Sequence, residues 1–404
     1  MRVDILTREY PPHIYGGAGV HVAELSAVLR SHIDVRVHCF EGPRDEPGVY
    51  GYSPLAELAD ANAALGTFGV DLQIAAGIAA QGGPGDLVHS HTWYANLAGH
   101  LASLLYDIPH IISAHSLEPL RPWKREQLGG GYALSSWAES TAYHGAAAII
   151  AVSGGMRNDI LRSYPDLDPD KVKVVHNGID LTGWQPPTGD GVEIARNKVR
   201  ARGIDPDRPT IVFVGRITRQ KGLPYLIRAI GQLPKDVQVV LCAGAPDTPE
   251  ILAEVANGVA ELAKQRDGVI WIEEMLEREE LVAILSSATT FVCPSVYEPL
   301  GIVNLEAMAC GIPVVGTATG GIPEVVDDGV TGTLVPINQV QDGTGTPIDP
   351  DKYVGDLAAA LTDMVSDPDR AQQMGVAARK RVEDHFAWTA IGERTLEVYR
   401  SVLS

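Results

Sequence analysis

Arg216 and Lys221 lie five positions apart in Gly215-Arg216-Ile217-Thr218-Arg219-Gln220-Lys221-Gly222, directly after an apolar run that ends at Val214. On a turn leading into a helix near Leu223, both side chains can point to the strand end and clamp a diphosphate. The guanidinium supplies paired planar donors and the ammonium a point charge. A solvated basic turn is the plainer alternative, and three cations together in so acidic a chain weigh against it. Glu298 and Glu306 bracket seven residues of Pro294-Ser295-Val296-Tyr297-Glu298-Pro299-Leu300-Gly301-Ile302-Val303-Asn304-Leu305-Glu306-Ala307. A carboxylate on the loop after a buried strand, beside amides of a helix starting around Gly301, can hold sugar hydroxyls. One two turns into that helix can reach a ribose. Solvated helix charges would also explain two bare glutamates, but the apolar run Leu300 to Ala309 argues against it.

Tyr15-Gly16-Gly17-Ala18-Gly19 follows a first strand and opens a helix at Val20. Glycines let a ligand approach the backbone, and N–H groups at a helix start attract phosphate or a polar sugar. The spacing is not GxGxxG, although Glu41 after the second strand keeps a dinucleotide reading open, and a bare glycine turn is as good an account of the loop alone. His89 and His91 end one apolar run and His115 ends another. A strand-terminal histidine can hydrogen-bond a sugar hydroxyl; a satisfied core histidine is the commoner outcome. No Cys, His or carboxylate at ligand spacing completes a metal site around His89 and His91, so no metal and no cofactor are expected. Asp166-Leu167-Asp168, Asp205-Pro206-Asp207 and Asp349-Pro350-Asp351 sit in proline-punctuated turns and read as solvated turn residues. GxxxxGK[ST] and GxSxG are both absent.

These residues need elements to place them. Runs rich in Val, Ile and Ala recur at Val3 to Leu6, Val35 to Phe40, Leu87 to His89, Ile111 to Ala114 and Ala147 to Val152, and helical periodicity at Val20 to Leu29 separates the first two. A second series follows at Thr210 to Val214, Val237 to Cys242, Val269 to Ile272, Phe291 to Cys293 and Pro313 to Val315. The fold class is therefore α/β, two Rossmann-like doubly wound domains that face a cleft at their strand ends. Residues 1–183 are expected as the first domain, 184–387 as the second and 388–404 as a helix packing back on the first. Leu181 to Pro209 reads as a hinge and Gln341 to Pro347 as a mobile loop.

The chain has 404 residues and a net charge of −19, which excludes the basic footprint that nonspecific nucleic-acid or anionic-membrane binding needs. No stretch approaches about 18 uninterrupted apolar residues, the length that crosses a bilayer. Met1 to Leu6 reads as a strand and not as a leader, so a cytoplasmic location is expected. Cys39, Cys242, Cys293 and Cys310 lack CxxC spacing and read as reduced core residues.

Arg216 with Lys221, followed by the paired glutamates, resembles the retaining glycosyltransferases of the GT-B architecture, the large family of glycogen and sucrose-phosphate synthases. His115, His176-Asn177-Gly178-Ile179-Asp180 and Gly320-Gly321-Ile322-Pro323-Glu324 add to the resemblance, which covers essentially the whole chain. Glu9 to Gly19 and Ala114-His115-Ser116-Leu117-Glu118-Pro119 are similar to the short actinobacterial branch that moves glucose from ADP-glucose to α-glucose 1-phosphate. Longer bacterial glycogen synthases carry Lys-Thr before the paired glycines where this chain has Ile14-Tyr15, which weighs against direct elongation of glycogen. That elongation stays as one alternative and a non-catalytic nucleotide-sugar-binding regulator as another. A lipid-linked mannosyltransferase would want a basic membrane-facing stretch.

The resemblance implies that the first domain is the acceptor side and that the second binds the nucleotide sugar. It also implies a metal-independent transfer in which Arg216 and Lys221 stabilise the departing diphosphate. Glu298 would hold donor-sugar hydroxyls, Glu306 the ribose and His115 the sugar 6-hydroxyl. Gly16 and Gly17 would close over phosphate, and the amides of Leu300, Gly301, Ile302 and Val303 would meet the oxygens at the helix start. Arg121, Lys124 and Arg125 are the cations proposed for a phosphorylated acceptor, with a solvated loop equally open. The expected partners are the nucleotide sugar and a phosphorylated sugar or α-glucan acceptor, with no nucleic acid and no membrane; a homo-oligomer is left open.

Overall fold

The computed structural model describes residues 1–404 except 122–124, 126–128 and 341. The chain forms two units, Met1–Gly178 with Trp388–Ser404, and Ile179–Ala387. The division falls ahead of the expected 183/184 boundary. Gly178 lies flat under the Trp388 ring, where a Cβ would come within 2.5 Å of it, and Ile179 already bridges Ala387 within the second unit.

In the first unit, β1 (Arg2–Thr7), β2 (Asp34–Phe40), β3 (Val49–Tyr52), β4 (Leu87–His91), β5 (His110–Ala114), β6 (Ala148–Ala151) and β7 (Val172–Val174) form a sheet in the order β3-β2-β1-β4-β5-β6-β7. Every pairing is parallel, which explains why β1, β5 and β6 are largely apolar and buried on both faces; β4 is buried throughout as well, although His89, Ser90 and His91 make its second half polar. The order turns back at β1 and β4, and the crevice outside their carboxyl ends is where such sheets receive ligands. The glycine loop follows β1, and His91 ends β4. The edge strands β3 and β7 were not legible: Gly51 breaks the pattern of one, and the other is three residues long.

The closing helix Trp388–Leu403 belongs to this unit. Ile391 and Leu396, both fully buried among Val22, Leu25 and Leu29, each stabilise it by about 1.5–3 kcal/mol. By length and composition the helix Ala63–Ala80 is apolar enough to cross a membrane, although Thr67, Asp71 and Gln73 interrupt its apolar run. Its residues Val70, Ile74 and Ile78 are buried in a core cluster with Ala95, Ala98 and Ala102 of helix Trp93–Tyr106.

In the second unit, β8 (Thr210–Arg216), β9 (Gln238–Gly244), β10 (Val269–Ile272), β11 (Thr290–Cys293), β12 (Val314–Thr317) and β13 (Gly332–Val335) pair in parallel in the order β10-β9-β8-β11-β12-β13. Here the switch lies between β8 and β11. It brings the turn after Arg216 beside the loop after Cys293.

The expected hinge is no free linker. Helix Asp190–Ala201 occupies it and packs on helix Arg278–Ser286, with Lys198–Glu279 at 2.8 Å and Arg202 paired to Glu280 and Glu274. The described part of the loop expected to be mobile, 342–347, is tied down as well: Gln339 and Pro347 form an antiparallel bridge, and Gln339 Nε2 donates to the carbonyls of Val296 and Gly345 at 2.6 and 2.7 Å.

Candidate active site

Lys221 ends the short turn Arg219–Lys221 after β8, and Glu298 sits on the loop after β11. Their side chains meet, Lys221 Nζ donating to Glu298 Oε2 at 2.6 Å, while the Ser295 hydroxyl donates to the same oxygen at 3.0 Å. Burial disfavours the Lys221 charge, yet the Glu298 carboxylate outweighs it and holds the ammonium above its ordinary range. Arg216 reaches Asp247 Oδ1 at 3.0 Å. Sequence reasoning placed Arg216, Lys221 and Glu298 in one site but not the Lys221–Glu298 pair or Asp247, which only strand order could reveal.

Two glycines shape this loop. Gly222 has φ +65°, and a Cβ there would lie 2.0 Å from the Pro294 carbonyl; Gly320 has φ +55°, and its Cβ would lie 2.0 Å from the Glu298 carbonyl. The Gly321 N–H donates to that carbonyl at 2.9 Å, and Val296 N–H donates to the Gln220 carbonyl at 2.9 Å. The Gly320-Gly321 pair therefore fixes the Glu298 backbone. Gly301 caps helix Ile302–Ala309 without a side-chain bond, which leaves the Ile302 and Val303 amides at an open helix start. Glu306 lies on this helix. Burial pushes its carboxyl up to about 7, against the pull of the Arg278 and Lys221 charges.

A cavity of about 240 Å³ opens beside Gly215 and Arg216 at the ends of β8, β9 and β10, walled by Gly244, Ala245 and the stretch Glu273–Leu276. Glu273–Leu276 had no motif to mark it.

In the first unit the glycine loop differs from expectation in one respect. Glu9 Oε2 already accepts the N–H groups of Gly16 and Tyr15, at 2.7 and 2.8 Å, so Gly16 is not an idle phosphate donor. A Cβ on Gly16 would meet nothing within 4 Å, so the residue leaves room for a ligand. His115 follows β5 and is partly exposed, with Nε2 3.0 Å from His91 Nδ1. His89 is a core residue: Nδ1 bonds the Tyr399 hydroxyl at 2.7 Å and Nε2 the Ser113 hydroxyl at 2.9 Å. Burial drives His91 and His115 well below the ordinary imidazole range and His21 down to about 4, so all three are neutral.

Arg121 is anchored to the Ser116 hydroxyl at 3.1 Å, and Arg125 lies 5.6 Å from the centre of the Tyr132 ring. Lys124 lies outside the described residues. Beneath Arg121 runs a buried network that the sequence did not announce. Glu139 accepts the Glu118 N–H at 3.0 Å and the Tyr164 hydroxyl at 2.6 Å, and Ser135 donates to Glu118 Oε2 at 2.6 Å. Burial, then the charge of Glu118, holds the Glu139 carboxyl well above its ordinary range. The acidic turns behave as caps: Asp168, Asp205 and Asp349 accept the N–H groups of Asp170, Asp207 and Lys352.

Residues 195–381 match the family described as glycosyl transferases group 1, and residues 15–182 match glycosyltransferase family 4. Over 404 residues, covering all of both chains, the protein is 55% identical to the α-maltose-1-phosphate synthase of Mycolicibacterium smegmatis. The chain belongs to the GT-B glycosyltransferases. The α-maltose-1-phosphate synthase of Mycobacterium tuberculosis is likewise 55% identical over 404 residues. Sucrose-phosphate synthase from Thermosynechococcus elongatus shares the fold with a TM-score of 0.78 at 23% identity, covering 100% of this chain and 99% of that one. As a GT-B enzyme the chain is a hexosyltransferase, and the non-catalytic regulator is set aside.

Proposed function

We propose that this enzyme transfers glucose from ADP-glucose to α-glucose 1-phosphate with retention at the anomeric carbon, giving α-maltose 1-phosphate for α-glucan synthesis. Full-length identity of 55% to enzymes of that name carries the reading. The acceptor hydroxyl oxygen bonds C1 on the face the nucleotide leaves, and passes its proton to the departing diphosphate oxygen as the bond from C1 to that oxygen breaks. Arg216 and Lys221 stabilise the charge that gathers on the leaving diphosphate, the task a metal performs in other transferases, and none is required here.

The remaining roles follow the chemistry of each group. Glu298, held by Lys221 and Ser295, accepts hydrogen bonds from donor-sugar hydroxyls, and Glu306 accepts those of the ribose. The cavity beside Arg216 takes the base. The amides from Leu300 to Val303 meet phosphate oxygens. His115, neutral and partly exposed, bonds the sugar 6-hydroxyl, Gly16 and Gly17 give phosphate its approach, and Arg121, with Lys124 and Arg125, receives the acceptor phosphate.

One assay tests this. ADP-glucose and UDP-glucose are each offered with α-glucose 1-phosphate, glucose or glycogen, and the products are weighed by mass spectrometry and their linkage read by NMR. A disaccharide phosphate with an α-linkage, formed fastest from ADP-glucose, is expected. Product only on glycogen would overturn the acceptor, and an inverted linkage the retention.

A further inference from the structure

His21, His91 and His115 come from three separate elements of the first unit: helix Gly17–Leu29, the end of β4 and the residue after β5. Each offers a ring nitrogen, and the three nitrogens lie within 4.8 Å of one another. His21 and His91 are 3% and 0% exposed; Nε2 of His91 makes no hydrogen bond, and His21 makes none of good geometry, the Asn177 side chain being its polar neighbour. One poorly satisfied nitrogen of His21, with the neighbouring nitrogens of His91 and His115, presents three lone pairs that a single ligand can accept.

We propose that His21, His91 and His115 form a binding site for a divalent transition metal of the zinc type, in which the metal competes with the donor sugar for His115. Three imidazoles with an open fourth position are an established ligand set for zinc. Zn–N bonds of about 2.0–2.1 Å at a tetrahedral centre put the nitrogens roughly 3.4 Å apart. His91 Nδ1 and His115 Nε2, 3.0 Å apart, are already close to that and would exchange their mutual hydrogen bond for the metal, and a pair as wide as 4.8 Å must close by about 1.4 Å through ring rotation. The partly exposed His115 gives the ion its way in and leaves the fourth position to water. The site is a brake and not a catalytic centre: a metal on the His115 nitrogen removes it from the sugar 6-hydroxyl. This last step rests on the role proposed for His115, whereas metal binding does not.

The test uses the full chain, stripped with chelator. Cobalt(II) should bind at one equivalent per chain and give the intense visible bands of a four-coordinate site, and zinc should displace it. His21→Ala should weaken zinc binding at least about 100-fold, more than the loss typical of an outer-sphere partner. His91→Asn should do the same, with the thermal melt of each metal-free variant confirming that it folds. Zinc should inhibit the wild type at near-stoichiometric concentration and leave His21→Ala uninhibited. Absence of the cobalt bands, or unchanged zinc affinity in both folded variants, overturns the site. Binding as expected without inhibition overturns only the competition with donor, so failure of the metal site and failure of the assigned reaction remain distinguishable.

Discussion

Lys221 Nζ stands 2.6 Å from Glu298 Oε2, so the cation proposed for the diphosphate and the carboxylate proposed for the sugar orient each other within the second unit. The Glu298 side chain is 7% exposed. Lys221→Ala leaves that carboxylate without its cation, at a cost of about 3 kcal/mol in stability, and removes a donor to the leaving group. Turnover should fall by about 100-fold or more. Glu298→Gln added to Lys221→Ala should restore most of the stability and none of the turnover. Urea unfolding and kcat measured on the singles and the double check this, and equal recovery of both quantities would contradict the assigned role of Lys221.

Gly320 and Gly16 separate structural from ligand-facing glycines. Gly320→Ala forces a Cβ into left-handed backbone and against the Glu298 carbonyl, and should cost at least about 1–3 kcal/mol while displacing Glu298. Gly16 is extended, with φ −158°, and its added Cβ enters open space, so Gly16→Ala should cost under about 1 kcal/mol. A drop in donor affinity without loss of stability in Gly16→Ala would mark the ligand's approach. Chemical unfolding together with calorimetric titration of ADP distinguishes the two.

The legible features were those that one local segment carries. Buried parallel strands announce themselves as apolar runs, and Arg216 and Lys221 share one turn, so the two sheets and the cationic turn were readable. The Lys221–Glu298 pair was not, because it depends on β8 lying beside β11. Glu9 illustrates the same limit: nothing in its spacing says that its carboxylate fills the amides of Tyr15 and Gly16. His21 lies far in sequence from His91 and His115, and only the turn of the sheet order at β1 and β4 brings it to them. The helix at 190–201 was misread as linker because its flanking prolines and glycines dominate the composition.

Tyr399 on the closing helix is buried, and its hydroxyl lies 2.7 Å from His89 Nδ1, which has no solvent to turn to. Tyr399→Phe keeps the packing and strands one imidazole nitrogen. A loss of about 1–3 kcal/mol is expected in urea unfolding, with kcat unchanged since both side chains are fully buried in the core. A change in kcat with unaltered stability would contradict the core reading of His89.

Glu306 sets a pH dependence with a definite sign. Its carboxyl is pushed from an ordinary 4.5 up to about 7, so between those values the folded chain holds a proton that the unfolded chain has released. Stability contributed by this group therefore falls as pH rises through that window and levels off above it. Donor binding should run the other way, because an ionised carboxylate accepts ribose hydroxyl bonds more strongly than a protonated one. Affinity for ADP should rise between pH 6 and pH 8 more steeply in the wild type than in Glu306→Gln, which carries no titrating group there. The nucleotide's own phosphate titration is common to both proteins and cancels in the comparison. Calorimetric titration at the two pH values, with melting curves alongside, reads both effects, and identical pH profiles in wild type and Glu306→Gln would remove Glu306 from the ribose site.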